Sequence, residues 1–236
     1  SRRQGADRIR AASKPWPSRR QSVRGNGMNI LFVTNNLPYP PTDGWKIRVW
    51  AFIRYLSAQH RVSIASFMRT TEDPRAVEML QAHGVDVSVV PRHPRYSALN
   101  LVRGLFGRTA FSVLNYRDSR MQALIRRLLA AGRFEIVQAE SLQMAQYCIG
   151  APAMTVLDLH NIESLLMKRY AECVTNPLKR AYADITWRKL WRYETTTYGR
   201  FDECLACSEE DRTIALLLSD EPYLHFDSSY WDTRGV

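Results

Sequence analysis

The chain alternates between short continuous apolar runs and stretches whose apolar residues recur every three or four positions, and this pattern begins at Met28. Residues 28–34 (MNILFVT) are almost wholly apolar and end in Asn35 and Asn36, as expected of a strand buried on both faces. The loop at residues 37–44 (LPYPPTDG) is stiffened by prolines and continues neither strand nor helix. Ile47, Trp50, Ile53 and Leu56 then recur at helical spacing, with Lys46, Arg48 and Arg54 off that stripe and Asp43 or Thr42 placed to cap the helix. Residues 61–67 predict a second strand, residues 72–83 a helix ended by Gly84, and residues 85–90 a third strand stopping at Pro91. Strands and helices alternating at this spacing imply a parallel sheet with right-handed crossovers.

The second half continues the alternation. Residues 117–131 form a basic amphipathic pattern ended by Gly132, and residues 134–139 (FEIVQA) a fourth strand with Glu140, Ser141 and Gln143 beyond its carboxyl end, then a short helix to Cys148. Residues 153–157 predict a fifth strand running into Asp158, Leu159, His160 and Asn161. A long helical stretch, 162–198, is expected to break near Asn176-Pro177. A sixth strand closes at residues 204–207, and Ser208 caps a last helix, with Asp211 three residues on able to complete a capping box. The expected fold is therefore α/β, a Rossmann-like parallel sheet with helices on both faces over residues 28–218. It lies between a tail at 1–27 and an irregular segment at 219–236 that has neither helical nor strand periodicity.

Composition changes this picture in one place. Of the net charge of +10, residues 1–27 supply +7, from eight Arg or Lys against Asp7, and they hold no apolar run. This segment reads as disordered: either a targeting or nucleic-acid arm, or upstream sequence preceding a start at Met28. Nucleic-acid binding rests on it alone and is not expected of the domain. No signal-peptide core or stretch of membrane-spanning length is present, so a cytoplasmic location is expected. Residues 97–116 mix apolar and aromatic positions with Arg103 and Arg108 and almost no acid. They fit either a segment lying on an anionic bilayer, with Leu101, Leu105 and Phe106 dipping in, or a loop and short helix packed on the sheet. The first reading adds peripheral contact at the inner membrane face.

Cys204 and Cys207 are spaced as CxxC, but on a strand three residues put them about 10 Å apart on opposite faces, beyond disulfide reach. No zinc-ligand spacing accompanies them, and all four cysteines are expected to be buried and structural. A dehydrogenase is disfavoured, because GxGxxG is missing and the second strand ends at Phe67-Met68 rather than at an acid. What remains is a strand, a Gly-bearing turn and a helix start, where free backbone N–H groups favour anions and Gly44 lets a ligand approach. Glu163 and Glu194 are expected to be solvated or salt-bridged.

Three segments in order, PYPPTDGWKIR, DLHNIES, and RYE followed by FDECLACSEED, together resemble the N-terminal domain of glycosyltransferase family 4, nearest its exopolysaccharide and surface-glycan branch. The resemblance covers about residues 28–218. It implies one half of a GT-B architecture, in which this half holds the acceptor, a second half holds the nucleotide sugar, and retaining transfer occurs between them without an obligatory metal or other cofactor. By position, Gly44 with Asp43 and Trp45 corresponds to the glycine loop, Trp45 standing where the family often has a second glycine. His160 corresponds to the catalytic, sugar-contacting position, with Asp158 and Asn161 beside it and Glu140 and Gln143 at the end of the adjacent strand. Ser208 and Glu209 resemble the segment leading toward the second half.

The resemblance also implies a Pro-Asn-Gly linker, an Arg/Lys pair and an E-x7-E element, none of which occurs here. The expectation is a truncated or split transferase, inactive alone, whose nucleotide-sugar donor needs the other half and whose acceptor is a glycan or lipid-linked glycan. The alternative is a non-catalytic Rossmann-like binding module.

Overall fold

A computed structural model describes residues 27–69, 74–92, 102 and 104–218. The tail at 1–26, the segment at 219–236, Leu101 and Arg103 lie outside them. Six strands form one parallel sheet: β1 (Asn29–Thr34), β2 (Arg61–Arg69), β3 (Asp86–Arg92), β4 (Ile136–Ala139), β5 (Met154–Leu159) and β6 (Glu203–Ala206). Their order is β3-β2-β1-β4-β5-β6, with every pair parallel. The chain first builds outward from β1 through β2 to β3, then returns to the other side of β1. The boundary between β1 and β4 is thus the point at which strand order reverses, and this is a doubly wound, Rossmann-like sheet.

The helices among the described residues include α1 (Gly44–Ser57), α2 (Arg75–Ala82), α3 (Phe111–Leu114), α4 (Ser119–Ala131), α5 (Ala145–Cys148), α6 (Glu163–Cys173), α7 (Pro177–Tyr198) and α8 (Glu209–Leu218). Two buried clusters show why the strand runs are apolar throughout. Ile30 and Phe32 of β1 and Val62 and Ile64 of β2 pack with Val49, Phe52 and Ile53 of α1 and Leu80 of α2 on one face. Leu31 and Val33, with Ala65 and Phe67, point the other way and pack with Met121, Leu124 and Ile125 of α4 and Tyr198 of α7. Side chains alternate across each strand, so a strand covered on both sides needs apolar residues at every position.

Several expectations need correction. In α1 the buried residues are Arg48, Val49, Phe52 and Ile53, whereas Ile47 is 55% exposed. The helix is rotated by one position from the predicted stripe because Val49, Phe52 and Ile53 make the tighter apolar ridge. β5 extends to Leu159, so Asp158 is a strand residue and not part of the following turn. β3 continues through Pro91, which an edge strand tolerates. Cys148 and Cys204 are buried, but Cys173 and Cys207 are exposed; all four are free thiols, so CxxC is no disulfide. Glu194 is fully buried and not solvated.

The predicted break in the long helical stretch occurs where Asn176 Oδ1 accepts from the N–H groups of Leu178 and Lys179, with Pro177 at the first helical position. In the 97–116 segment, Gly104, Ala110, Phe111 and Val113 are buried while Phe106 is 82% exposed. Among the described residues no helix is long and apolar enough to cross a membrane.

Candidate functional site

The carboxyl ends of β4, β5 and β6 meet the first turns of α1, and five ionisable side chains converge there. Arg48 is 8% exposed and its guanidinium embraces Asp158, with Nη2 2.6 Å from Oδ1 and Nε 3.0 Å from Oδ2. The remaining branch, Nη1, donates to Cys207 Sγ at 3.0 Å, just past β6. The planar guanidinium thus ties α1 to the ends of β5 and β6 in a bidentate pair suited to a carboxylate.

Two residues beyond Asp158, His160 leaves the strand and meets Glu140 at the end of β4. His160 Nε2 and Glu140 Oε2 are 3.3 Å apart, with the Glu140 side chain wholly buried and that of His160 13% exposed. This is a pairing by charge: neither ring nitrogen is aligned with a hydrogen-bond acceptor, and Oε2 has no donor aligned on it. The other carboxylate oxygen, Oε1, accepts from Gln138 Nε2 at 2.7 Å. Trp45, from the first turn of α1, stands edge-on to the imidazole with ring centroids 6.2 Å apart.

Burial pushes the Glu140 carboxyl above its ordinary range, with the Asp158 charge adding to it and His160 and Gln138 opposing. Burial works against an imidazolium at His160, but Cys207, Glu140 and the Asp158 charge outweigh it and raise that group to about 10. His160 is therefore a proton-bearing donor at neutral pH. Glu163, at the start of α6, is also raised by burial, opposed by contacts with Gln143 and the charge of His160.

Glu140, Asp158 and His160 offer three ligand atoms within 4.8 Å of one another. The Arg48 guanidinium already neutralises Asp158, so one of the two carboxylates is engaged before any cation could use it.

The predicted residues separate into two sets. Trp45, Glu140, Asp158 and His160 come together, with Gln143 behind them at Glu163. Asp43 is an N-cap whose Oδ1 accepts from Lys46 N at 3.2 Å, so it fills the place an anion would take at this helix start. Gly44 has a backbone any residue can adopt, and an added Cβ would meet open space. Asn161 is exposed. Ser208 Oγ accepts from Asp211 N at 3.0 Å and donates to Asp211 Oδ2 at 2.8 Å, the expected cap of α8. Glu209 Oε1 pairs with Arg212 Nη1 at 2.9 Å within the same helix.

Arg48 and Cys207 were not predicted, although their placement leaves traces. Cys207 directly follows a strand, as do Glu140 and His160 at or near theirs, and strand ends are where ligands meet such sheets. Arg48 stands next to Val49 on the buried ridge of α1, a signal visible only once the correct helical face is chosen.

No protein-family model and no curated protein matches the chain. Among solved structures, it is similar to Anabaena HepE in complex with UDP and glucose, with a TM-score of 0.48, 13% identity, and coverage of 84% of this chain and 44% of that one. It is also similar to Phytolacca americana UGT2 complexed with UDP-2fluoro-glucose and pterostilbene, with a TM-score of 0.49, 10% identity, and coverage of 86% and 53%. A third, alpha,alpha-trehalose 6-phosphate synthase from Burkholderia multivorans, gives 0.40, 14% identity, and 89% and 44%. The chain thus spans about half the length of these structures.

Proposed function

We propose that this chain is the acceptor-binding half of a retaining glycosyltransferase that passes a sugar from a nucleotide-sugar to a glycan or lipid-linked acceptor. The observation that carries this reading is the buried His160–Glu140 pair, 3.3 Å apart beside the Trp45 indole, next to the point of strand reversal. An imidazolium donates and a carboxylate accepts, which together match a sugar hydroxyl; these atoms are covered in this structure, so the hydroxyl reaches them when the partly exposed His160 ring turns outward. An indole offers an apolar surface for the C–H face of a pyranose. Because His160 already holds its proton, its role is to donate to the acceptor hydroxyl and stabilise charge, not to act as a base. Arg48 and Asp158 act one layer behind, fixing α1, and with it Trp45, against β5. Gly44 contributes the open space beside the helix start.

The order of the three sequence segments supports the same reading, and nucleotide-sugar binding is assigned to a second half. The test is equilibrium binding of oligosaccharides and of uridine-diphosphate sugars to wild-type and His160→Ala protein. Oligosaccharides are expected to bind, and to weaken about tenfold on losing one charged hydrogen bond. Tighter binding of nucleotide sugars than of any saccharide, or affinity unchanged in the variant, contradicts the assignment.

A further inference from the structure

Away from the sheet edge, α7 and the loop at residues 107–108 border an open cleft of about 330 Å³ lined by Gly107, Arg108, Ile185, Arg188, Lys189 and Arg192. Four of these six residues are cationic and none is acidic. The nearest acid on the helix, Asp184, is engaged with the indole N–H of Trp187 at 3.2 Å. Lys189 Nζ donates to the carbonyl oxygens of Gly104 at 2.7 Å and Leu105 at 2.6 Å, which pins the helical turn at 104–106 against α7. An ammonium has three donors, so one remains. Arg188 stacks against the Trp187 ring and donates to the Asp184 carbonyl, leaving most of its fork unspent by these contacts. Like charges gathered around one concavity repel each other unless an anion joins them.

The rim of the cleft identifies the anion's source. Leu105 and Phe106, on the short helical turn pinned by Lys189, are 36% and 82% exposed, and Ile185 in the cleft wall is 39% exposed. Cations at one level with apolar side chains projecting beside them form the pattern of a surface that meets a bilayer, phosphate opposite the cations and acyl chains opposite the apolar groups. A soluble phosphate would use the cations and have no use for Phe106.

We propose that this cleft binds the phosphate headgroup of an anionic lipid and seats the protein on a membrane surface. Arg108, Arg188, Lys189 and Arg192 surround the phosphate while Leu105 and Phe106 enter the acyl boundary. The assignment joins residues 105–108 to the middle of α7, more than 75 positions away in sequence, and is independent of what the His160–Glu140 pair binds.

The test is co-flotation of the full chain with vesicles of phosphatidylcholine alone and with about one third phosphatidylglycerol. Basic residues near such a surface each contribute about fivefold, so the Arg108→Gln, Arg188→Gln, Arg192→Gln triple variant should lose roughly a hundredfold in partition to the anionic vesicles. Phe106→Ser should also weaken it, and both variants should keep the wild-type circular dichroism, since these side chains are exposed. An Arg2→Gln, Arg3→Gln, Arg8→Gln variant serves as the control for unspecific attraction. An equal loss in that control overturns the proposal. So does release of the vesicles by millimolar inorganic phosphate with Phe106→Ser behaving as wild type, which would assign the cleft to a soluble anion. A DNA oligonucleotide that displaces the vesicles and is itself weakened by the triple variant would assign the cleft to nucleic acid, and this also overturns it.

Discussion

Arg48 shows how one side chain can hold a site together and still escape a reading of the sequence. Its charge predicts a solvent-facing position, yet it lies on the buried ridge of α1 because Asp158 waits at the end of β5, 110 residues away. Nothing local to either residue announces the pair, so the contact exists only once the sheet brings β5 beside α1. Removing one partner strands the other charge in the interior, so Arg48→Ala should cost about 3–5 kcal/mol of stability in chemical denaturation. Replacing both, Arg48→Met with Asp158→Leu, should recover most of that loss.

His160 was legible by contrast, since its position after a strand is a sequence property, although its protonation was not. Its raised value means stability fully present below about pH 6.5 and lost as pH rises through about 10. An NMR titration should find its imidazole still protonated at pH 8, and in Glu140→Gln protein the midpoint should fall. An imidazole titrating near 6.5 in both proteins would contradict the described pairing.

Among the elements, the pair α6 and α7 depends on one buried acid. Glu194 accepts from Ser164 N at 3.2 Å and from Ser164 Oγ, satisfying the start of α6 from a residue near the end of α7. Burial raises Glu194 to about 7, with its hydrogen bonds to Ser164 opposing. The folded form therefore holds this proton more tightly than the unfolded chain, and its contribution falls as pH rises from about 4.5 through about 7. The stability difference between wild type and Glu194→Gln should shift against wild type over that interval. A difference independent of pH would show that Glu194 titrates normally.

The break between α6 and α7 was readable from Asn176-Pro177, because a capping asparagine before proline is a local signal. Asn176→Ala should cost about 1 kcal/mol, read as a lower denaturation midpoint. The burial of Glu194 was not readable, since the Ser164 groups that receive it lie 30 residues away in sequence.

At the scale of the whole molecule, strand alternation and strand-end residues made the parallel sheet and much of its carboxyl edge visible in advance. The site's composition was half visible. Trp45, Glu140, Asp158 and His160 converge, while Asp43, Ser208 and Glu209 are spent on helix caps and a local ion pair. Capping residues and ligand-binding residues share the same chemistry and the same places in a Rossmann-like sheet, so sequence alone assigns both roles to both sets. The fold shows which of them are already engaged as caps: Asp43 at the start of α1 and Ser208 at the start of α8.

The central claim is that the paired His160 and Glu140 beside Trp45 bind a saccharide. The most direct measurement is a two-dimensional NMR titration of the chain with an oligosaccharide, following the Trp45 indole and His160 imidazole resonances against Trp191, which is 47% exposed on α7. The account predicts saturable shifts at Trp45 and His160 with Trp191 unmoved. Shifts confined to Trp191, or none at the sheet edge with any saccharide, would contradict it.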